Sequence, residues 1–275
     1  MKTAYQYQEQ VLSIISRENL PDIGVLGGIE IEHIIKKIKD NIKITTEVAG
    51  PGGRVVIYLN DYFHLKPSIF DFLSSDEYIE LILKIFQTKE IPIIWMDKAG
   101  GNTRKVRNIE ENTEYIDFRN TTLKVEPEFI TEYLYNIKNL FIVYNSWNKK
   151  IIDLTKVKRR IFVDLREFCI DEIDKFTCDY LFLSSKKAYR QLAEKSSKLK
   201  ANNKIILAKD AISFDRKIYE VKVKEKKYFE EAVSAFEANF ISNIIKGYTL
   251  KSAVDSSFNL YNHVLECGTI PTEKL

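Results

Sequence analysis

Glycine is scarce in this chain, with ten in 275 residues and none between Asn102 and Lys246. A loop that wraps a polyphosphate needs glycine for positive φ or for close backbone approach. More than half of the sequence therefore has no glycine with which to build one. Cysteine and histidine are sparse too. Cys169, Cys178 and Cys267 are odd in number and lack metal-ligand spacing, and His33, His64 and His263 are equally scattered. That pattern excludes a disulfide framework and a structural zinc centre. No apolar run approaches the roughly 18 residues that span a bilayer. The N-terminal MKTAYQYQEQVLSIISREN lacks a basic flank, an apolar core and a small-residue cleavage site, so it does not read as a signal peptide. The expectation is a cytoplasmic protein with no membrane partner. A formal charge of +3 is too small to imply nucleic acid. The basic stretches KVKRR (156–160) and KVKEKK (222–227) read as solvated faces, and no basic and aromatic residues interleave on one face.

What is present is an alternation of short apolar strands with amphipathic helices. DIGVLGG (22–28), SIFDFL (68–73), IPIIWM (91–96), NLFIVYN (139–145), RRIFVDL (159–165), DYLFLS (179–184) and KIILAK (204–209) read as buried strands. GGRVVIYLNDYFHL (52–65), SSDEYIELILKIFQ (74–87, with a serine cap), EPEFITEYLYNIK (126–138), 230–246 and 249–266 read as helices. FDRKIYEVKV (214–223) reads as a hairpin. This order predicts an α/β fold with a mostly parallel sheet covered on both faces. The polar segments 30–48 and 100–119 do not suit a buried central sheet and predict a small flap. An extra amphipathic helix is expected at 4–18.

The motif order resembles the ribokinase-like (PfkB-type) carbohydrate kinases over roughly residues 22–271. VLGGIEIEHI (25–34) is similar to that family's V-G-x-x-x-x-D opening, with Glu32 at the slot that binds substrate hydroxyls. PGGRVVI keeps the family's glycine pair as Gly52 and Gly53 but carries Ile57 at the following asparagine slot. LSSDEYIELILKIFQTKEI (73–91) resembles the G-D-D-x-x-G helix. VDLRE (163–167) resembles the strand ending in D-P-N, retaining Asp164 ahead of Leu165 and Arg166. DYLFLSSKKAYRQL (179–192) resembles the N-x-x-E segment of the magnesium–phosphate network, with Ser184 and Lys187 in its two slots. ILAKDAISF (206–214) resembles the G-x-x-G nucleotide turn, with Leu207 and Asp210 in place of the glycines.

The strongest likeness is YFEEAVSAFEANFISNIIKG (228–247). Set against D-T-T-G-A-G-D-A-F-x-A-G-F…K-G, Tyr228 falls on the first aspartate. EAVS (231–234) falls on G-A-G-D, and Lys246–Gly247 on K-G. The resemblance implies a ribokinase-like three-layer sandwich, a single domain over 1–275 and a β lid at 30–48 and 100–119. It also implies phosphate-site slots at Glu231, Ala232 and Val233 and a general-base slot at Ser234. A serine hydroxyl is barely ionised at neutral pH, and losing a positioned base lowers the rate about 10²–10⁴-fold. Glu230 and Glu231 stabilise the positive end of the helix dipole where a phosphate would arrive. Val233, Phe236, Phe240 and Ile244 also follow plain helical spacing, with Gly247 suited to a helix end. Glu30 and Glu32, on alternate residues of one strand, either pair on a polyol or stand as solvated flap charges.

Three functions follow. The first is a catalytically disabled ribokinase-like protein that binds a protein partner through the lid, either another copy or an active relative; it requires no cofactor. The second is a divergent ATP- and magnesium-dependent sugar or nucleoside kinase that brings Asp164, Glu230 or Glu231 into the base position. The third is a sugar or polyol sensor using Glu32, Gly52 and Gly53.

Overall fold

The computed structural model describes residues 20–38, 41–98, 100–111, 113–117, 134, 137–144, 159–166, 178–196, 201–223 and 226–271. The helices expected at 4–18 and across most of 126–138 lie outside these residues. The chain divides into two compact units, one of residues 1–138 and 147–157, the other of 139–146 and 158–275.

The first unit begins with β1 (Ile23–Leu26), β2 (Glu30–Ile38), β3 (Asn41–Ala49) and helix α1 (Gly50–Asp61). It continues with β4 (Pro67–Leu73), α2 (Ile79–Thr88), β5 (Ile93–Asp97), β6 (Arg104–Asn108) and β7 (Thr113–Asp117). Strands β1, β4 and β5 run parallel in that order. All seven residues of β4 are buried, as expected for a parallel strand covered on both faces. A separate sheet has the order β3-β2-β6-β7, with the outer pairs antiparallel and β2–β6 parallel.

The second unit holds β8 (Asn139–Val143), β9 (Arg160–Arg166), β10 (Tyr180–Ser185), α3 (Tyr189–Ser196) and β11 (Asn203–Ala208). It closes with β12 (Ala211–Phe214), β13 (Lys217–Glu220), α4 (Phe229–Ile245) and α5 (Leu250–Cys267). Strands β8 to β11 are parallel neighbours, and β12 and β13 extend the sheet antiparallel. Aromatic rings fill its core: Phe162 stacks on Tyr180 at 5.0 Å, and Phe240 meets Tyr180 and Phe182 edge-on at 5.3 and 5.4 Å. Val233, Phe236, Phe240 and Ile244 are all buried, as the helical spacing predicts. Helix α5 starts on Thr249, whose side chain accepts from the Ser252 N–H, and ends on Gly268 at φ +76°. A side chain at Gly268 would lie 2.7 Å from the Tyr228 ring, so this helix end needs glycine for space as well as for φ.

Two local expectations change. Helix α2 starts at Ile79, after Tyr78, with no side-chain cap, rather than at a serine. Asp76 explains the delay. Its carboxylate accepts from Asn102 N–H and side-chain amide, both at 2.7 Å, and from Tyr78 N–H at 3.0 Å, which holds residues 74–78 in a turn. The hairpin expected over 214–223 lies earlier, as β12 and β13 joined at Asp215–Arg216. Both turn residues have positive φ, +45° and +64°, the backbone of a tight two-residue hairpin loop.

Candidate functional site

The sequence-predicted site residues fall in both units, and each group has its own geometry. In the first unit, Glu32 is not a solvated flap charge. It is completely buried, and its Oε2 accepts from Arg54 on α1 and from Arg107 on β6, the latter at 3.2 Å. Arg54 and Arg107 are themselves only 7% and 4% exposed. Two guanidinium groups on one buried carboxylate form the kind of charge-assisted arrangement that survives desolvation. Glu32 Oε1 is buried with no hydrogen-bond partner among the described residues. Glu30, at the head of β2, is half-buried beside Gly50. Ile57 is half-buried on α1, one turn beyond Gly53.

The glycine pair has a packing role. The N–H groups of Gly52 and Gly53 donate to the Gly28 carbonyl at 3.1 and 3.2 Å. A Cβ on Gly52 would lie 1.9 Å from the Gly27 carbonyl oxygen. The start of α1 is thereby closed by backbone from the β1–β2 loop.

Asp71, in the middle of β4, is a buried carboxylate that the sequence reading missed. Its carboxylate accepts from Ile29 N–H at 2.7 Å and Phe72 N–H at 2.8 Å. Burial pushes its pKa up to about 6, against the opposing pull of the Ile29 N–H, the Lys98 charge and the Phe72 N–H. An acid inside the apolar run SIFDFL was the available signal. Arg54, directly after the glycine pair, was another.

In the second unit, Asp164 is completely buried on β9, and Ser184 is 3% exposed on β10 with its Oγ lacking a partner among the described residues. Register sets Ser184 between Arg166 on β9 and Leu207 on β11, at the carboxyl ends of three parallel strands. Ligands of open α/β sheets bind beyond such ends. Leu207 does not lie in a turn: it is a buried strand residue. Asp210 does occupy the exposed β11–β12 turn, where it accepts from Tyr189 N–H at 2.8 Å. Lys187 is exposed, and its backbone N–H donates to Ser185 Oγ at 3.1 Å.

Helix α4 carries the phosphate-site slots, and it begins within one residue of the expected 230. Tyr228 is the N-cap residue and Phe229 is already helical. Glu231, Ala232 and Val233 thus lie inside the helix, and the Ala232 N–H donates to the Tyr228 carbonyl at 3.0 Å. Ser234 is completely buried, with its Oγ unpartnered among the described residues. Glu230 and Glu231 occupy the first turn, with Lys186 3.8 Å from Glu230. Among the described residues no group of His, Cys, Asp and Glu is placed to hold a metal ion, and no helix is long and apolar enough to cross a membrane.

No family model matches the sequence, and no curated protein matches it. Solved structures do. The fold is similar to a microbiome-derived acarbose kinase at 17% identity and TM-score 0.72, covering 93% of this chain and 95% of that one. A ribokinase from Thermotoga maritima aligns at 13% identity and TM-score 0.61, covering 92% and 96%. A nucleoside kinase from Methanocaldococcus jannaschii, an archaeal member of the ribokinase family, aligns at 12% identity and TM-score 0.63, covering 89% and 92%. With strand order, helix placement and these likenesses in agreement, the chain has the ribokinase-like fold.

Proposed function

We propose that this protein does not transfer phosphate and acts by binding a protein partner, a second copy of itself or a related kinase, through its four-stranded sheet. The observation that carries this reading is the start of α4. The Ala232 N–H, in a slot that would have to face a phosphoryl group, is already hydrogen-bonded to Tyr228. The slot for the general base holds a buried serine, and two carboxylates sit in the first turn. Phosphoryl transfer rests on positioning and charge stabilisation, and both are reversed here.

The partner side of the proposal draws on the four-stranded sheet. On one of its faces Ile42, Ile44 and Tyr115 are 72%, 63% and 69% exposed, with Ile35 and Val106 on the same face by register. Apolar residues grouped in this way on a small sheet mark an association surface. The working location in this reading is the cytoplasm, in keeping with the unpaired thiols of Cys178 and Cys267.

Thermal unfolding with and without magnesium–ATP tests the first half. A ligand at a hundred times its dissociation constant adds about 2.7 kcal/mol of stability. The expected result is no shift at millimolar nucleotide, and a saturable rise in melting temperature overturns the reading. A second reading, a divergent ATP-dependent carbohydrate or nucleoside kinase, draws support from buried Asp164 and from the full-length likeness to sugar and nucleoside kinases. ATP turnover with any sugar, polyol or nucleoside would establish it. Saturable sugar binding without ATP would instead mark a sensor.

A further inference from the structure

Two of the links between the four-stranded sheet and the strands β1, β4 and β5 are glycine pairs built alike. Gly27–Gly28 lead into β2 at φ +79° and +86°, and Gly100–Gly101 lead towards β6 at +89° and +91°. Glycine takes such a backbone without strain and leaves the link soft. In each link the residue after the pair donates its N–H to an aspartate at 2.7 Å: Ile29 to Asp71 Oδ2, and Asn102 to Asp76 Oδ2. Each soft joint is thus pinned by one carboxylate.

The two pins differ in their surroundings. Asp76 is half-buried and held by several donors. It accepts from the Asn102 side-chain amide at 2.7 Å and from Tyr78 N–H at 3.0 Å, with Arg104 3.6 Å away. Asn102 is tied back a second time, accepting from Ser74 N–H and donating to the Ser74 carbonyl, both at 2.9 Å. Against the upward push of partial burial, these N–H groups and the Arg104 charge hold Asp76 below its ordinary carboxylate value. Asp71 is only 6% exposed. Among the described residues, the groups that act on it are the Ile29 N–H, the Lys98 charge just beyond β5 and the Phe72 N–H. Burial outweighs them and pushes its pKa up to about 6.

Opening a joint lets water reach its carboxyl, which then returns towards its ordinary value. A group raised in the closed state favours closure when protonated, and that preference is lost as pH rises through about 6. A group lowered in the closed state favours closure when ionised and loosens only as pH falls into the acid range. The two joints therefore respond to pH in opposite directions.

We propose that Asp71 and Asp76 make a one-sided hinge: at neutral pH the four-stranded sheet stays fixed at Asn102 and yields at Ile29, where the ionised Asp71 favours the open joint, and acid closes it. Yielding there carries β2 away from α1. Glu32 then parts from Arg54 and keeps Arg107, its neighbour within the sheet.

Amide hydrogen exchange resolved by residue in the full chain tests this, with protection corrected for the intrinsic rate at each pH. Between pH 4 and 7 the protection of the Ile29 amide should fall roughly tenfold to a hundredfold. That of Asn102 should hold or rise. At every pH Ile29 should be less protected than Ile69, whose N–H bonds the Pro92 carbonyl inside the sheet and reports global unfolding. Asp71→Asn should flatten the Ile29 profile. Lys98→Gln removes the cation that favours the Asp71 carboxylate and should carry the fall to higher pH, a movement that a merely structural Asp71 would not give. A flat Ile29 profile in the wild type, or Ile29 protection equal to that of Ile69, overturns the hinge. Asn102 falling in step with Ile29 overturns its one-sidedness. A fall that persists in Asp71→Asn overturns Asp71 as the group responsible.

Discussion

Helices α1 and α4 both carry sequence-predicted site slots at their starts, and both starts are closed from within the chain by different means. At α1 the closing group is backbone: the Gly28 carbonyl takes the N–H groups of Gly52 and Gly53, and at Gly52 only glycine allows the approach, because a Cβ there would meet the Gly27 carbonyl oxygen. At α4 the closing group is the helix itself, the Ala232 N–H being spent on Tyr228, and the first turn carries Glu230 and Glu231. The first closure is part of the packing, and a substitution there damages the fold. The second is made of ordinary helix bonds and first-turn charge, and a substitution there should change binding before it changes stability.

The largest effect should come from Gly52→Ala. Its new Cβ would overlap the Gly27 carbonyl oxygen, and neither backbone can move without opening the β1–β2 loop. A loss of more than about 4 kcal/mol, or no folded protein, is expected from denaturant unfolding. A mild loss would mean that the α1 start is no more rigid than that of α4.

Next comes Arg54→Met. It leaves Glu32 buried with Arg107 as its remaining described cation. Breaking a buried pair from one side is destabilising by roughly 3–5 kcal/mol, because the surviving charge stays desolvated. A double-mutant cycle with Glu32→Gln should recover a large part of that loss, which separates pairing from packing.

A third test acts on the same loop through Asp71, which holds the Ile29 N–H just beyond Gly28. The carboxyl titrates near 3.8 when unfolded and near 6 when folded. The folded state therefore holds the proton more tightly. The resulting destabilisation is absent below about pH 4, grows as pH rises to about 6 and is complete above it. A shift of about two units corresponds to about 3 kcal/mol. The stability of wild type minus that of Asp71→Asn should fall by roughly that amount between about pH 4 and 7. A flat difference would show that Asp71 ionises freely.

These residues mark the limit of what could be read in the sequence. The order of strands and helices was legible because buried parallel strands are short apolar runs and the helices keep a 3.6-residue period. Glu32 was visible as a carboxylate but not as a buried one, since its partners lie 22 and 75 residues away and meet it only through sheet pairing and helix placement. Leu207 was set in a turn by motif spacing, although the apolar run KIILAK (204–209) already read as the buried strand that β11 forms. The start of α4 was legible to within one residue, at 229 against an expected 230, but a motif alignment fixes residue positions, not which amides are already used.

The smallest effect belongs to α4 itself. Replacing both Glu230 and Glu231 by glutamine removes two favourable dipole interactions and the contact with Lys186, and should lower stability by only about 0.5–1 kcal/mol. Its value lies in binding. If carboxylate repulsion alone closes the site, the neutral variant should gain a saturable stabilisation by sulfate or magnesium–ATP. If the helix start itself closes it, the Ala232 amide is still engaged with Tyr228 and no anion should bind. We expect no binding, because a side-chain change leaves the helix bonds of its first turn in place. Gain of anion binding would make the closure of α4 a matter of two charges, and this helix start would then differ from that of α1 in kind as well as in strength.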